Sequence, residues 1–256
     1  LAEDEVRTAV QRLSDTQVEA IAVCYLFSFL NPVHELRTRE IIRETLPDVY
    51  VSLSSEVLPQ VREFERLSTT LVNAYITPRL RGYLQRLDME LRQRGFHGEV
   101  FIMQGNGGVV GLEQACTHGV QALLSGPASG VVAGAYLGQV SGFKDVITVD
   151  MGGTSFDVCL VQDGRPKTGT DQWMSRYRVA VPFIDIHTIG AGGGSIAWVD
   201  EGGALRVGPQ SARAHPGPAC YGFGGQEATV TDADVVLGYI DPDSFLGGEM
   251  QLNADA

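Results

Sequence analysis

Cysteine is scarce in this chain. Its 256 residues hold four, Cys24, Cys116, Cys159 and Cys220, far apart and without a CxxC pair. That excludes a zinc ribbon and a disulfide scaffold and fits a reducing cytoplasm. Basic residues are few as well: 19 Lys and Arg face 31 Asp and Glu, for a net charge of −12. A non-specific nucleic-acid binder needs a basic footprint, so no nucleic-acid partner is expected. No run reaches the ~18 apolar residues of a membrane span, so no membrane partner is expected either. No basic segment precedes a small-residue cleavage site, so there is no signal-peptide pattern. The chain also lacks a methionine at Leu1 and reads as a fragment of a longer protein. What is present, 44% apolar and 20% charged residues, suits a globular chain of one large domain or two small ones.

Glycine and arginine divide the chain. Only Gly82, Gly95 and Gly98 fall before residue 100, against 28 of the 31 glycines after it. Twelve of the 17 arginines lie before residue 100. Residues 1–99 therefore read as a helix-rich α/β segment, and 100–256 as strands, turns and close backbone approaches. Residues 3–14 have a helical pattern. The apolar run Ala20–Phe29 reads as a buried strand, with Cys24 inside it as a small hydrophobe. Asn31-Pro32 opens a helix that Pro47 ends, and Tyr50–Ser54 alternates as a strand, completing a βαβ order. From about Gln60 to Arg94 a long helical stretch follows, with Phe64, Leu67, Leu71 and Ala74 on one face. Pro78 should break or kink it. The charges at Arg62, Glu63, Glu65 and Arg66 read as a solvated face. Val100–Met103 is a strand before the sharp loop Gln104–Gly108. Gly126, Gly130 and Gly134 recur every four residues around a small-residue helix at Val131–Leu137. That spacing serves either close packing on a sheet or approach of an anion to the helix N-terminus.

The segment 145–164 reads DVITVDMGGTSFDVCLVQDG. Two β-rich runs, Val146–Val149 and Phe156–Val161, flank Asp150-Met-Gly-Gly-Thr-Ser155, and the whole reads as a β-hairpin. The tip suits phosphate. Gly152 and Gly153 let backbone N–H groups approach phosphate oxygens, and Thr154 and Ser155 add hydroxyl donors. Asp150 is placed to hold a Mg²⁺-bound water or to act as a base, since a carboxylate cannot itself contact phosphate. Asp157 lies on the side opposite Phe156 and forms a second polar wall. A plain Gly-Gly turn would explain the glycines alone; the full string D-x-G-G-T-S-x-D-V is more specific. It is neither a Walker loop nor a dinucleotide fingerprint, whose glycines open a helix.

DMGGTSFDV resembles the phosphate hairpin of the actin, sugar-kinase and heat-shock chaperone ATPases. Five strings together resemble, more narrowly, the ATP-dependent hydantoinase A and 5-oxoprolinase family: REFERLSTTLVNAYITP (62–78), IMQGNGG (102–108), LLSGPASGVVAGA (123–135), DMGGTSFDV (150–158) and IGAGGGSIAWVD (189–200). GPACYGFGG (217–225) and TVTDADVVLG (229–238) extend the match. Related acetone and acetophenone carboxylases share this subunit. The resemblance implies part of a two-lobed, actin-like (ribonuclease H-like) α/β ATPase fold with a mixed sheet and nucleotide between the lobes. Residues 1–99 would close the first lobe and 100–256 belong to the second. Such proteins carry two hairpins of this type, and the one here looks like the second.

The resemblance also places Gly190-Ala-Gly-Gly-Gly-Ser195 at the active cleft, with Gly192 and Gly193 as cofactor-binding candidates. From the residues alone, three adjacent glycines mark close backbone approach by a ligand or by another strand. Asp185 and His187 alternate just before this cluster and, with Cys220 or His215, are candidates for an additional transition-metal site. His34, His97 and His118 read as surface residues. The function implied is an ATP- and Mg²⁺-dependent enzyme that opens a small cyclic amide by carbonyl phosphorylation and hydrolysis, together with a second (B-type) subunit or domain. A ketone carboxylase subunit and a non-catalytic nucleotide-binding module are the alternatives.

Overall fold

The computed structural model describes residues 1–170 and 172–256. In chain order, the first part runs α1 (Glu3–Ser14), β1 (Ala20–Val23), α2 (Val33–Thr45), β2 (Tyr50–Leu53), α3 (Ser54–Val57), α4 (Glu63–Gln93), β3 (Phe101–Met103), β4 (Val109–Gly111), α5 (Leu112–Ala115) and α6 (Ser125–Val140). The second runs β5 (Val146–Met151), β6 (Phe156–Gln162), β7 (Arg165–Pro166), β8 (Thr168–Gly169), β9 (Gln172–Met174), β10 (Tyr177–Val179), β11 (Phe183–Ile184), β12 (His187–Ile189), β13 (Ser195–Val199), β14 (Leu205–Ser211) and α7 (Val230–Val236). The chain is mixed α/β, consistent with part of an actin-like ATPase fold. Parallel and antiparallel pairings are both present, in separate sheets. Among the described residues no helix is long and apolar enough to cross a membrane.

Contacts gather the chain into two units: Leu1–Val132 with Lys167–Ile184, and Ala133–Pro166 with Asp185–Ala256. In the first, β1 and β2 pair in parallel from Ala20↔Tyr50 to Val23↔Leu53, with α2 as the crossover. Val10, Val23, Ile42 and Leu53 form the core beneath them. The βαβ order read from the sequence is thus present, but the first strand stops at Val23. Residues 24–31 leave it because Glu35, wholly buried, accepts from Tyr25 N (3.0 Å), Ser54 Oγ (2.6 Å) and Ser55 N (2.8 Å). Burial opposes the charge on Glu35, yet the bonds from Ser54, Ser55 and Tyr25 outweigh it and hold the carboxyl below its usual range.

Helix α4 departs from the amphipathic reading in two ways. It runs unbroken through Pro78. A mid-helix proline costs about 3 kcal/mol; the offset is packing on β1, β2 and β10 along much of its length. Its inward side is also polar. Arg66, Thr69, Thr70, Asn73 and Thr77 are fully buried, whereas Phe64 and Leu71 remain 58% and 45% exposed. Arg66 is therefore no solvated charge: its guanidinium donates to the carbonyls of Tyr25 and Gln60 and lies over the Phe29 ring. Asn73 Nδ2 donates to Ser52 Oγ (3.0 Å), and its Oδ1 accepts from Val120 N (3.1 Å). The β3–β4 hairpin and α5 pack on Leu80, Leu84 and Leu87 of the same helix. The glycine-rich composition that begins near residue 100 thus starts within the first unit.

The second unit centres on the antiparallel sheet β12-β6-β5. Gly134 and Gly138 of α6 lie against it. A Cβ on Gly134 would stand 2.5 Å from Thr148 Cγ2, and one on Gly138 2.9 Å from Val146 Cγ1. Close packing on a sheet explains Gly134, while nothing lies near Gly126. The β13–β14 ribbon and α7 complete the unit, with Cys220, Val235 and Leu252 in a smaller core.

Candidate functional site

The hairpin expected from the sequence is β5–β6, paired from Val146↔Val161 to Met151↔Phe156. Alternation puts Val146, Thr148 and Asp150 on one face of β5 and Ile147, Val149 and Met151 on the other. Asp150 stands directly opposite Asp157, and Thr188 of β12 is Asp157's partner on the other side. The three side chains therefore form a row on one face. Thr188 Oγ1 donates to Asp157 Oδ1 at 2.6 Å. Asp150 is exposed, and among the described residues its carboxylate has no partner. Two like charges directly opposed across strands repel, so this pair favours a cation or its bound water between or beside them.

Gly152 N donates to Ser155 O at 2.9 Å and closes the tip. The tip carbonyls are taken: Gly152 O accepts from Gly193 N (2.9 Å) and Gly153 O from Gly194 N (2.7 Å). The tip amides are not. Among the described residues the N–H groups of Gly153, Thr154 and Ser155 have no backbone acceptor. Thr154 is exposed and Ser155 half-buried. The tip thus offers three adjacent amides and two hydroxyls without intramolecular acceptors among the described residues, the kind of donor set that phosphate oxygens accept from.

The two glycine groups differ. A Cβ on Gly153 would meet nothing within 4 Å, and one on Gly152 only Ser155 O at 3.8 Å. A Cβ on Gly192 would sit 2.5 Å from Gly152 O and 2.6 Å from both Thr154 N and Ser155 N. One on Gly194 would sit 2.9 Å from Gly153 O. The strand-or-ligand alternative at 190–195 thus resolves in favour of a backbone: the cluster clamps the hairpin tip, and open space lies beside Gly152 and Gly153 instead. Gly193 is held in turn by Thr231, whose N and Oγ1 both donate to Gly193 O at 2.8 Å.

Thr231 and Asp232 belong to a support that the sequence reading did not assign. Thr229 caps α7 through a reciprocal box with Asp232. Asp232 also accepts from Cys220 N (2.8 Å) and Ala219 N (3.3 Å). The signal was legible: Thr-x-x-Asp just before an apolar run is a capping-box pattern.

The expected metal set does not assemble. Cys220 is buried, and burial, a hydrogen bond to Asp232 and the Asp232 charge push its thiol up to about 12. The thiolate is the form that binds metal, and these surroundings oppose it. His187 pairs opposite Val158, so it faces away from the Asp150–Asp157 row. Asp185 precedes β12 and is exposed. His215 stacks against Phe223, with ring centroids 5.3 Å apart. Among the described residues no three His, Cys, Asp or Glu side chains are grouped to share a metal ion. The cavities at Val18–Arg79, Arg39–His118 and Leu71–Tyr177 are lined by first-unit residues and not by the hairpin.

Comparison with known proteins gives a consistent result. The Hydantoinase/oxoprolinase family model matches residues 66–256, and the Hydantoinase/oxoprolinase N-terminal region model matches residues 1–46. The chain is 45% identical to the caprolactamase subunit alpha of Pseudomonas jessenii, over 100% of this chain and 37% of that one. It is 40% identical to the acetophenone carboxylase gamma subunit of Aromatoleum aromaticum, over 99% of this chain and 35% of that one. The crystal structure of the ATP-dependent caprolactamase from Pseudomonas jessenii superposes with a TM-score of 0.83 at 45% identity, covering 98% of this chain and 36% of that one. The chain spans little more than a third of the length of these relatives.

Proposed function

This chain belongs to the hydantoinase/oxoprolinase family, and from that premise we propose that it holds the phosphates of ATP for an enzyme that opens a cyclic amide. The observation that carries the proposal is the hairpin tip: three unclaimed amides and two hydroxyls beside an unpaired carboxylate. Gly153, Thr154 and Ser155 would bind and orient phosphate oxygens. Gly192 and Gly193 act at the cofactor site through the hairpin, by fixing the tip. Asp157, anchored by Thr188, would keep the second wall of the row in place.

Amide carbonyls are poor electrophiles. Transfer of the γ-phosphoryl group of ATP to the carbonyl oxygen turns that oxygen into a leaving group. Water then adds at carbon and the ring C–N bond breaks with protonation of nitrogen, which leaves an acyl phosphate; a second water releases inorganic phosphate from it and leaves the carboxylate. The residues contribute positioning and charge placement. Mg²⁺ fits the donor set, because Asp150 is an exposed carboxylate with no other partner and hard cations take oxygen ligands through water. When bound it would neutralise charge on the phosphates, with Asp150 holding one of its waters.

Caprolactamase and the carboxylases are described as subunits, and a second subunit or domain is proposed here too. A reducing compartment such as the cytoplasm is proposed from the thiols Cys24, Cys116 and Cys220. The similarity to acetophenone carboxylase favours one second reading, phosphoryl transfer in the service of carboxylating a ketone. The test is to assay the full-length protein with its partner subunit for ATP-dependent ring opening of lactams, hydantoins and 5-oxoproline, beside labelled bicarbonate uptake into ketones. ATP-dependent ring opening supports the proposal. Bicarbonate uptake without ring opening supports the carboxylase. ATP binding with neither reaction leaves a binding module.

A further inference from the structure

The first unit holds a polar cleft of about 280 Å³ whose walls include Arg39 and Arg43 of α2, Tyr50 of β2, Glu56 of α3, Arg81 of α4 and His118. We propose that this cleft binds a small phosphate-type oxyanion, gripped by the guanidinium groups of Arg39, Arg43 and Arg81. The proposal is independent of the hairpin, since every residue it uses lies in the first unit.

Charge is the first argument. Arg39 and Arg43 are one turn apart on α2 and share a face. Arg39 is bound to Glu56 through one nitrogen only, Nη1, at 2.7 and 2.8 Å from the two oxygens. Its other nitrogens remain available. Among the described residues Arg43 and Arg81 have no carboxylate within ion-pair distance. The chain carries a net charge of −12, yet three arginines from two helices line one small cleft. The three arginines outnumber the two carboxylates that also line the cleft, Asp48 and Glu56, and that balance favours a counter-anion.

The second argument is a fixed floor. The Tyr50 hydroxyl donates to Thr117 O at 2.8 Å and receives Asn73 Nδ2 at 3.2 Å. Asn73 is fully buried and also donates to Thr117 O. The His118 ring is held at both nitrogens, by Thr117 Oγ1 (2.9 Å) and Glu56 O (3.3 Å). Burial lifts the Tyr50 phenol above its usual range, against the opposing hydrogen bonds with Thr77 and Asn73.

Size and geometry narrow the ligand. Drug-sized ligands occupy roughly 300–1,000 Å³, so a cleft of about 280 Å³ suits an inorganic oxyanion with its water better than a nucleotide. The planar arginine fork matches phosphate oxygens in pairs.

The experiment is calorimetric titration of the full-length protein with inorganic phosphate in low-salt chloride buffer. It compares wild type, Arg43→Ala/Arg81→Ala, Arg43→Lys/Arg81→Lys and the hairpin variant Thr154→Val. Both arginines are exposed, and thermal melts confirm that the variants fold. The expected result is a saturable site weakened about tenfold or more, or ~1.4 kcal/mol, by the alanine pair, less by the lysine pair, and retained in Thr154→Val. A phosphate isotherm unchanged by the alanine pair, one lost with Thr154→Val, or no binding at millimolar phosphate each overturns the proposal.

Discussion

Two glycines a short distance apart are expected to respond oppositely to the same methyl group. At Gly192 a Cβ would lie 2.5 Å from Gly152 O and 2.6 Å from Thr154 N and Ser155 N. All three neighbours are backbone, so none can rotate aside. Overpacking of this kind costs typically about 1–3 kcal/mol. For a domain of this size 1 kcal/mol shifts the melting temperature by about 2–4 °C, so Gly192→Ala should lower it by several degrees. At Gly153 the methyl meets nothing within 4 Å, and its φ is not among the positive ones. Gly153→Ala should be neutral or stabilising by up to ~1 kcal/mol, through a less flexible unfolded chain. It should nonetheless weaken nucleotide binding, because the methyl projects into the space assigned to phosphate. Differential scanning calorimetry and Mg·ADP titration on both variants give the four values. A Gly192→Ala protein that melts like wild type would refute the clamp. A Gly153→Ala protein that binds Mg·ADP like wild type would refute the cradle.

Three further outcomes are expected. Asp150→Ala in the full-length protein should lower the ATP hydrolysis rate by ~10²-fold or more; a normal rate excludes Asp150 from the site. Glu35→Ala leaves Tyr25 N, Ser54 Oγ and Ser55 N without their acceptor; at about 1–3 kcal/mol for each buried donor left unpaired, urea unfolding should show a loss of several kcal/mol. Asp232 is held below its usual range because bonds from Cys220 and Thr229 outweigh the opposing effect of burial. A depressed carboxyl contributes stability above its unfolded value and loses it as pH falls. Melting temperature should therefore drop below about pH 4, and less steeply in Asp232→Asn, which starts less stable at neutral pH; parallel curves for the two proteins would contradict the assignment.

The parts legible in the sequence are those governed by local rules. Alternation and turn chemistry located β5–β6 and its D-M-G-G-T-S tip, and the proline at position 32 located the start of α2. Helix α4 departs from its periodicity, which assumes that the apolar side faces inward. Here Arg66, Asn73 and Thr77 are buried, since specific donors and acceptors on Tyr25, Ser52, Thr117 and Val120 await them. That pairing is long-range and leaves no trace in spacing. The early end of β1 has the same origin, in Glu35 drawing Tyr25 N out of the ladder. Within the site, composition marked both glycine groups but could not tell clamp from cradle, because the difference lies in what stands opposite each missing Cβ. Cys220 reads as a ligand from its residue type alone; in the fold it stands beside Asp232, and that proximity depends on the α7 cap.

The most direct measurement is a crystal structure of the full-length protein with a non-hydrolysable ATP analogue and Mg²⁺. The expected result is phosphate oxygens within hydrogen-bond distance, roughly 2.7–3.2 Å, of the amide nitrogens of Gly153, Thr154 and Ser155, with Asp150 reaching the metal through water. Phosphates seated elsewhere, with these three amides facing only solvent, would contradict the account.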